Sequence, residues 1–165
     1  MKIILIIVCL AAFSASVFSA EIGETAPPFS LKSISGMGSV DLDSQSEKIL
    51  YIDFWASWCG PCKLSFPSMI KLKELFKDEP FEIIAISVDT DLRAATKFLD
   101  SYKINFQVAL DRDGVVAEKY ALPGMPSSFL LGTDKKVIAT HKGFRKSDFA
   151  KIKKEIEAAL KGTET

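Results

Sequence analysis

Apolar and polar positions alternate along this chain in a way that marks out strands and helices in turn. Ile49-Leu50-Tyr51-Ile52-Asp53-Phe54-Trp55 is almost wholly apolar, which predicts a strand covered on both faces at the centre of an α/β sheet. Phe81 to Val88 reads as a second such strand. Between them, a segment reaching about Lys77 carries Leu64, Met69, Ile70, Leu72, Leu75 and Phe76, the spacing of a long helix with one apolar face, bent at Pro67. Asp91 to Tyr102 is expected to be helical, with Leu92, Ala95, Phe98 and Leu99 on one side, and Val115 to Tyr120 forms a shorter helix. Phe106 to Leu110 is a short strand before a turn at Asp111-Arg112-Asp113-Gly114. Ala26 to Leu31 is a turn entering a short strand, and a flexible Gly36-Met37-Gly38-Ser39 turn leads to a second strand at Val40 to Leu42. Ser128 to Leu131 and Lys136 to Thr140 pair as a hairpin, and Ser147 is placed to cap a last helix striped by Phe149, Ile152, Ile156 and Leu160. Alternating strands and helices without repeats or linkers predict one α/β domain over residues 21–165.

The first residues do not belong to that pattern. Met1 and Lys2 precede an uncharged run from Ile3 to Ala20 that opens strongly apolar and ends in small residues. This is the build of a secretory signal peptide over residues 1–20, cleaved after Ser19 or Ala20. An uncleaved anchor is the alternative, although Ser14, Ser16 and Ser19 weaken a membrane span already at the short limit. A lipid anchor on Cys9 is disfavoured by the bulky Val8 before it. The expected location is therefore periplasmic, with membrane attachment only if the segment is retained.

Composition narrows the function. The 165 residues are 48% hydrophobic and carry 21 basic against 21 acidic side chains, so no basic field exists for nucleic acid or an anionic membrane. A core of this size needs no disulfide staple or structural metal. Of 3 cysteines, Cys9 leaves with the signal, so Cys59 and Cys62 remain in a compartment where disulfides persist.

Two cysteines separated by two residues at a strand-to-helix junction can close a small disulfide ring and reopen it. The partial positive charge of a helix N-terminus stabilises a thiolate at Cys59, which is expected to attack, while the more buried Cys62 resolves the mixed disulfide. Gly60 lets a partner chain approach closely, and Pro61 suits the first helical turn. No cation stands between the cysteines, which points to a mild or reducing pair. A zinc site is short of ligands, since only His141 could join the two thiolates, and a static disulfide closing so short a loop would stabilise little.

The segment Asp53-Phe54-Trp55-Ala56-Ser57-Trp58-Cys59-Gly60-Pro61-Cys62-Lys63 closely resembles the active-site segment of thioredoxins. Gly124-Met125-Pro126-Ser127-Ser128-Phe129 resembles the loop that carries that family's cis-proline. The long stretch between Asp89 and Pro126, with the secretion signal, looks like the TlpA-like branch of extracytoplasmic thiol–disulfide oxidoreductases. The resemblance implies a thioredoxin-like fold: a central mixed β-sheet flanked by helices, an N-terminal β-hairpin, and an extra helix–strand insertion before the cis-Pro loop. It implies dithiol–disulfide exchange with protein disulfide and dithiol substrates, as in cytochrome c maturation or copper-site assembly. An upstream thiol donor recharges the pair, no cofactor is needed beyond the Cys59–Cys62 disulfide, and a monomer is expected.

Residue by residue, the resemblance gives Asp53 the place of the buried carboxylate that exchanges a proton with Cys62, its pKa raised by desolvation. The alternative for Asp53 is a structural pairing, for example with a lysine. Trp58, Gly60, Pro61, Met125 and Pro126 should line the groove where a partner's backbone docks. For Trp58 the alternative is core packing. His141 is expected to be a strand or surface residue without a catalytic task. Asp134-Lys135-Lys136, in place of the glycine of many relatives, leaves the hairpin turn undefined. The absence of an acidic residue in or near the cysteine motif sets this chain apart from several cytochrome-maturation members. Competing readings are a peroxiredoxin, disfavoured by Ile52 and Ala56 where Pro and Thr or Ser are needed, a disulfide oxidase or isomerase on the same fold, and a copper-holding dithiol module.

Overall fold

The centre of the sheet forms where the most continuous apolar runs lie. β3 (Ile49–Trp55) is buried at every position, and β4 (Phe81–Ser87) at all but Glu82. They pair in parallel from Ile49↔Phe81 to Trp55↔Ser87. The computed structural model describes residues 20–162; the apolar run read as a signal lies, apart from Ala20, outside the described residues.

β1 (Ser30–Ser33), β2 (Ser39–Asp41), β5 (Gln107–Leu110), β6 (Ser127–Leu131) and β7 (Val137–Lys142) complete a seven-stranded sheet of order β2-β1-β5-β4-β3-β6-β7. The sheet is mixed. β5 runs parallel to β4, while β6 pairs antiparallel with both β3 and β7. The N-terminal β1–β2 hairpin joins the sheet by pairing β1 antiparallel to β5. The stretch before the cis-proline loop holds α2 (Leu92–Leu99), β5 and α3 (Val115–Lys119), so the insertion supplies the strand that fastens the hairpin to the centre.

Strand alternation divides the core in two. Ile49, Tyr51 and Trp55 face one cluster, which also holds Ile152 and Ile156 of α4 (Asp148–Lys161) and Cys62, Phe66, Met69 and Leu72 of α1 (Cys62–Leu75). Leu50, Ile52 and Phe54 face the other, with Phe129 and Tyr120. Trp55 and Phe66 meet edge to face at 4.9 Å between centroids, and Phe98 completes an aromatic wedge behind the cysteine loop.

Two local expectations change, and a turn left undefined takes shape. The buried stripe of α1 starts at Cys62 and continues through Ser65, Phe66, Met69 and Leu72, so Leu64 and Leu75 are exposed on the opposite side. A helical period counted from Cys62 brings Phe66 inward and turns both leucines out. The helix continues through Pro67. Ser147 does not cap α4 with its side chain; Asp148 Oδ2 instead accepts the Arg145 N–H at 2.8 Å, and the Ser147 hydroxyl turns towards Asp148. The β6–β7 turn is closed by Lys135, which adopts φ +63°, while Asp134 Oδ1 accepts the Lys136 N–H at 3.0 Å.

Candidate active site

β3 ends at Trp55, and the chain turns through Ser57 and Trp58 before entering α1. Cys59 lies in that turn, with its N–H donating to the Ala56 carbonyl at 3.0 Å, and Cys62 is the first helical residue. The two sulfurs form a disulfide. The Cys62 N–H also donates to Cys59 Sγ at 3.2 Å, so a free amide of the first helical turn is aimed at the sulfur where a thiolate would form. Cys59 is 4% exposed and Cys62 fully buried, the asymmetry expected of an outer and an inner thiol.

Gly60 and Pro61 flank the disulfide on the surface. Gly60 has no left-handed backbone, and a Cβ built on it meets nothing within 4 Å, so nothing inside the protein demands glycine there. Trp58 is 69% exposed, which removes core packing as its explanation; Trp55 is the tryptophan of the core. The Met125–Pro126 peptide is cis. Met125 is half-buried against the cluster that holds both cysteines, and Pro126 is buried. The loop is held from two sides: Ser127 Oγ donates to the Gly124 carbonyl at 2.7 Å, and Gly143 N–H donates to the Pro126 carbonyl at 2.8 Å. Gly143 takes φ +73° to do so, a conformation side chains resist. Pro61 shares a groove of about 500 Å³ with Thr140, His141, Lys142, Phe144 and Arg145.

Asp53 is 2% exposed on the central strand and shares the face of β3 occupied by Tyr51 and Trp55, the face packed by Cys62. Its Oδ2 has no hydrogen-bond partner, and no described lysine pairs with it, which argues against a structural ion pair. Burial without compensation holds its pKa well above the ordinary carboxylate range. Trp55 Nε1 is likewise buried and unpartnered.

Two groups of residues escaped the sequence reading. Asp89, just past β4, accepts the Ser57 N–H at 2.9 Å and the hydroxyls of Ser57 and Ser87, each at 2.8 Å. One buried carboxylate thus anchors the turn that leads to Trp58 and Cys59. The signal available was an aspartate directly after a buried strand that neighbours the cysteine strand. Asp89→Ala should lower the stability of the oxidised protein by about 1.5–3 kcal/mol, the worth of hydrogen bonds to a charged group, as measured by urea unfolding. The other group is Tyr51, Ser128, His141 and Glu155, joined in one hydrogen-bonded chain. Glu155 sits between the buried Ile152 and Ile156 in the helical stripe, and that interruption was the available sign. Among the described residues no cluster of His, Cys, Asp and Glu has a metal-holding arrangement.

Known proteins resemble this chain over most of its length. Residues 21–160 match the Redoxin family. Thiol-disulfide oxidoreductase ResA of Bacillus subtilis (strain 168) is 33% identical over 142 residues, covering 82% of this chain and 79% of that protein. ResA of Bacillus thuringiensis subsp. konkukian is 33% identical over 141 residues, covering 86% and 78%. A crystal structure assigned as thiol:disulfide interchange protein DsbE from Chlorobium tepidum superposes with a TM-score of 0.81 at 38% identity, over 85% of this chain and 98% of that one. A family match over most of the chain, relatives at this identity and a paired Cys59–Cys62 at the head of α1 lead to one conclusion: the chain belongs to the Redoxin family and is a thiol–disulfide oxidoreductase with a thioredoxin-like fold.

Proposed function

We propose that the protein reduces disulfides in extracytoplasmic partner proteins, with Cys59 as nucleophile, Cys62 as resolving thiol and Asp53 as the group that takes and returns the proton of Cys62. The observation that carries this reading is the buried, unpartnered Asp53 on the face of β3 packed by Cys62. In the dithiol form, the Cys59 thiolate attacks one sulfur of the partner's disulfide, and that S–S bond breaks as the mixed disulfide forms. The departing partner thiolate takes up a proton. Cys62 then gives its proton to the Asp53 carboxylate and attacks Cys59 Sγ, releasing the second partner thiolate, which is protonated in turn. Two electrons and two protons pass to the partner, and the Cys59–Cys62 disulfide remains.

Trp58, Gly60, Pro61, Met125 and Pro126 are assigned to the docking groove, where a partner backbone can approach without side-chain obstruction at Gly60. The dithiol is the only electron carrier required, and an upstream thiol donor restores it. Disulfides between the cysteines that receive haem in cytochrome c, or copper in an assembly site, are the substrate classes implied by the resemblance. Extracytoplasmic placement rests on the apolar run from Ile3 to Ala20; among the described residues no helix is long and apolar enough to cross a membrane. Turbidity from insulin reduction tests the direction. A catalytic amount of the protein should accelerate precipitation of the insulin B chain over an excess dithiol donor alone, whereas faster oxidation of a reduced substrate than reduction of insulin would overturn the assignment.

A further inference from the structure

Asp53, Ser128 and His141 are neighbours across three strands. Asp53 of β3 is the Cα partner of Ser128 of β6, and Ser128 is the Cα partner of His141 of β7. Directly paired residues share a face of the sheet, with Cβ atoms about 4.5–5.5 Å apart. The Tyr51 hydroxyl donates to Ser128 Oγ at 2.7 Å, which leaves the single Ser128 proton to be donated elsewhere. Ser128 Oγ lies 3.2 Å from His141 Nδ1, and His141 Nε2 lies 2.7 Å from Glu155 Oε2. One assignment satisfies every contact: Tyr51 donates to Ser128, Ser128 to Nδ1, and Nε2–H to the Glu155 carboxylate. The His141 side chain is 9% exposed and that of Glu155 25%, so the chain leads from the buried core to the protein surface.

We propose that His141, braced by Glu155, exchanges the proton of Asp53 with solvent through the hydroxyl of Ser128. This rests on the reading of Asp53 as the proton acceptor for Cys62. The transfer balances. The Asp53 carboxyl passes its proton to Ser128 Oγ as the Ser128 hydroxyl proton moves to His141 Nδ1, leaving a carboxylate, an intact hydroxyl and an imidazolium. The imidazolium then gives its Nε2 proton to water by way of the Glu155 carboxylate, and proton exchange with solvent restores the Nε2–H tautomer before the next transfer. In the imidazolium state both ring nitrogens donate, so the Ser128 proton is freed to turn towards the Asp53 carboxylate, which has no other partner at Oδ2. Histidine suits the task because its neutral ring accepts a proton at one nitrogen while the other nitrogen donates.

The ionisable groups facing this chain are Tyr51 and Asp53 from β3, with Asp148, Lys151 and Glu155 from α4. Lys142 adjoins His141 on β7, and Arg145 and Glu21 line the grooves along that edge. Tyr51 stays protonated: burial and the neighbouring Asp53 raise its pKa far beyond neutrality. Lys151, 3.8 Å from Glu155, offsets part of that carboxylate's charge.

The test is the pH dependence of single-turnover disulfide reduction in wild type, His141→Gln, Glu155→Gln and Asp53→Asn, together with the Asp53 carboxyl titration followed by carbon NMR in the first three. His141→Gln should slow the resolving step by about tenfold at neutral pH, within the range of general acid–base effects, and move both the rate profile and the Asp53 titration to higher pH. Glu155→Gln should displace both in the same direction by less. A folded His141→Gln protein with wild-type profiles would overturn the inference. Should His141→Gln not fold, unchanged profiles in Glu155→Gln would do so. If Asp53→Asn also leaves the rate profile unchanged, the role of Asp53 itself falls; if Asp53→Asn alters it and His141→Gln does not, only the route through His141 falls.

Discussion

Cys59→Ser should abolish insulin reduction, while Cys62→Ser should retain attack but stall afterwards, accumulating partner proteins as mixed disulfides on Cys59. The two variants differ because the two sulfurs differ in position. Cys59 is the outer sulfur and already receives an amide N–H from the first helical turn. Cys62 is fully buried at the start of α1, so the first attack is assigned to Cys59. Non-reducing electrophoresis of Cys62→Ser extracts, with and without thiol, reads out the trapped species. Mixed disulfides gathering on Cys62 in Cys59→Ser, with none in Cys62→Ser, would reverse the order of attack.

Asp53→Asn should stabilise the oxidised protein at neutral pH while slowing its catalytic cycle. Asp53 is buried, its Oδ2 is unpartnered, and desolvation raises its pKa. Between the ordinary carboxylate pKa and this raised value the folded state binds more protons than the unfolded state. Stability therefore falls as pH rises through that window, and the burden is largest above the folded-state value. An amide at the same place carries no charge to desolvate. The gain should be on the order of 1–3 kcal/mol, the cost of an uncompensated buried polar group, and should grow from acid to neutral pH. Urea unfolding at several pH values measures it. The same variant should lose about tenfold or more in the resolving step, since no carboxylate is left to take the Cys62 proton. A variant both less stable at neutral pH and unimpaired in turnover would contradict both roles.

Much of the centre of the molecule was legible in the sequence because its signals are local. A seven-residue strand buried on both faces is an unbroken apolar run, and the cysteine pair follows it directly. The cis Met125–Pro126 bond was reached through a motif, since few X–Pro bonds are cis. What escaped depends on contacts distant in sequence. Asp89 and Ser57 are 32 residues apart, and Tyr51 and Ser128 are 77 apart, so neither pair leaves a periodic trace. His141 looked inert because a lone histidine on a half-polar strand normally is; only the register of β6 and β7 brings it to Ser128, and only the docking of α4 supplies Glu155. Leu64 and Leu75 misled for a different reason. An apolar residue can sit anywhere on a helix, and the phase was set by Cys62 and Phe66. Ser147 stands at the N-cap position without a side-chain bond to the helix, because the local polar contact goes instead to Asp148, which reaches back to the Arg145 amide in the preceding turn.

The central claim is that this dithiol donates electrons. Gly60-Pro61 puts no cation between the cysteines that would favour the reduced form and make the disulfide strongly oxidising. Equilibration of the purified protein against a thiol redox buffer, with Cys59 and Cys62 followed by alkylation, measures the potential of the pair. A value near or below about −250 mV, in the range of thioredoxin, is the predicted result and requires a dedicated electron supply. A value above roughly −180 mV would place the pair with oxidases and isomerases and would contradict a reductase.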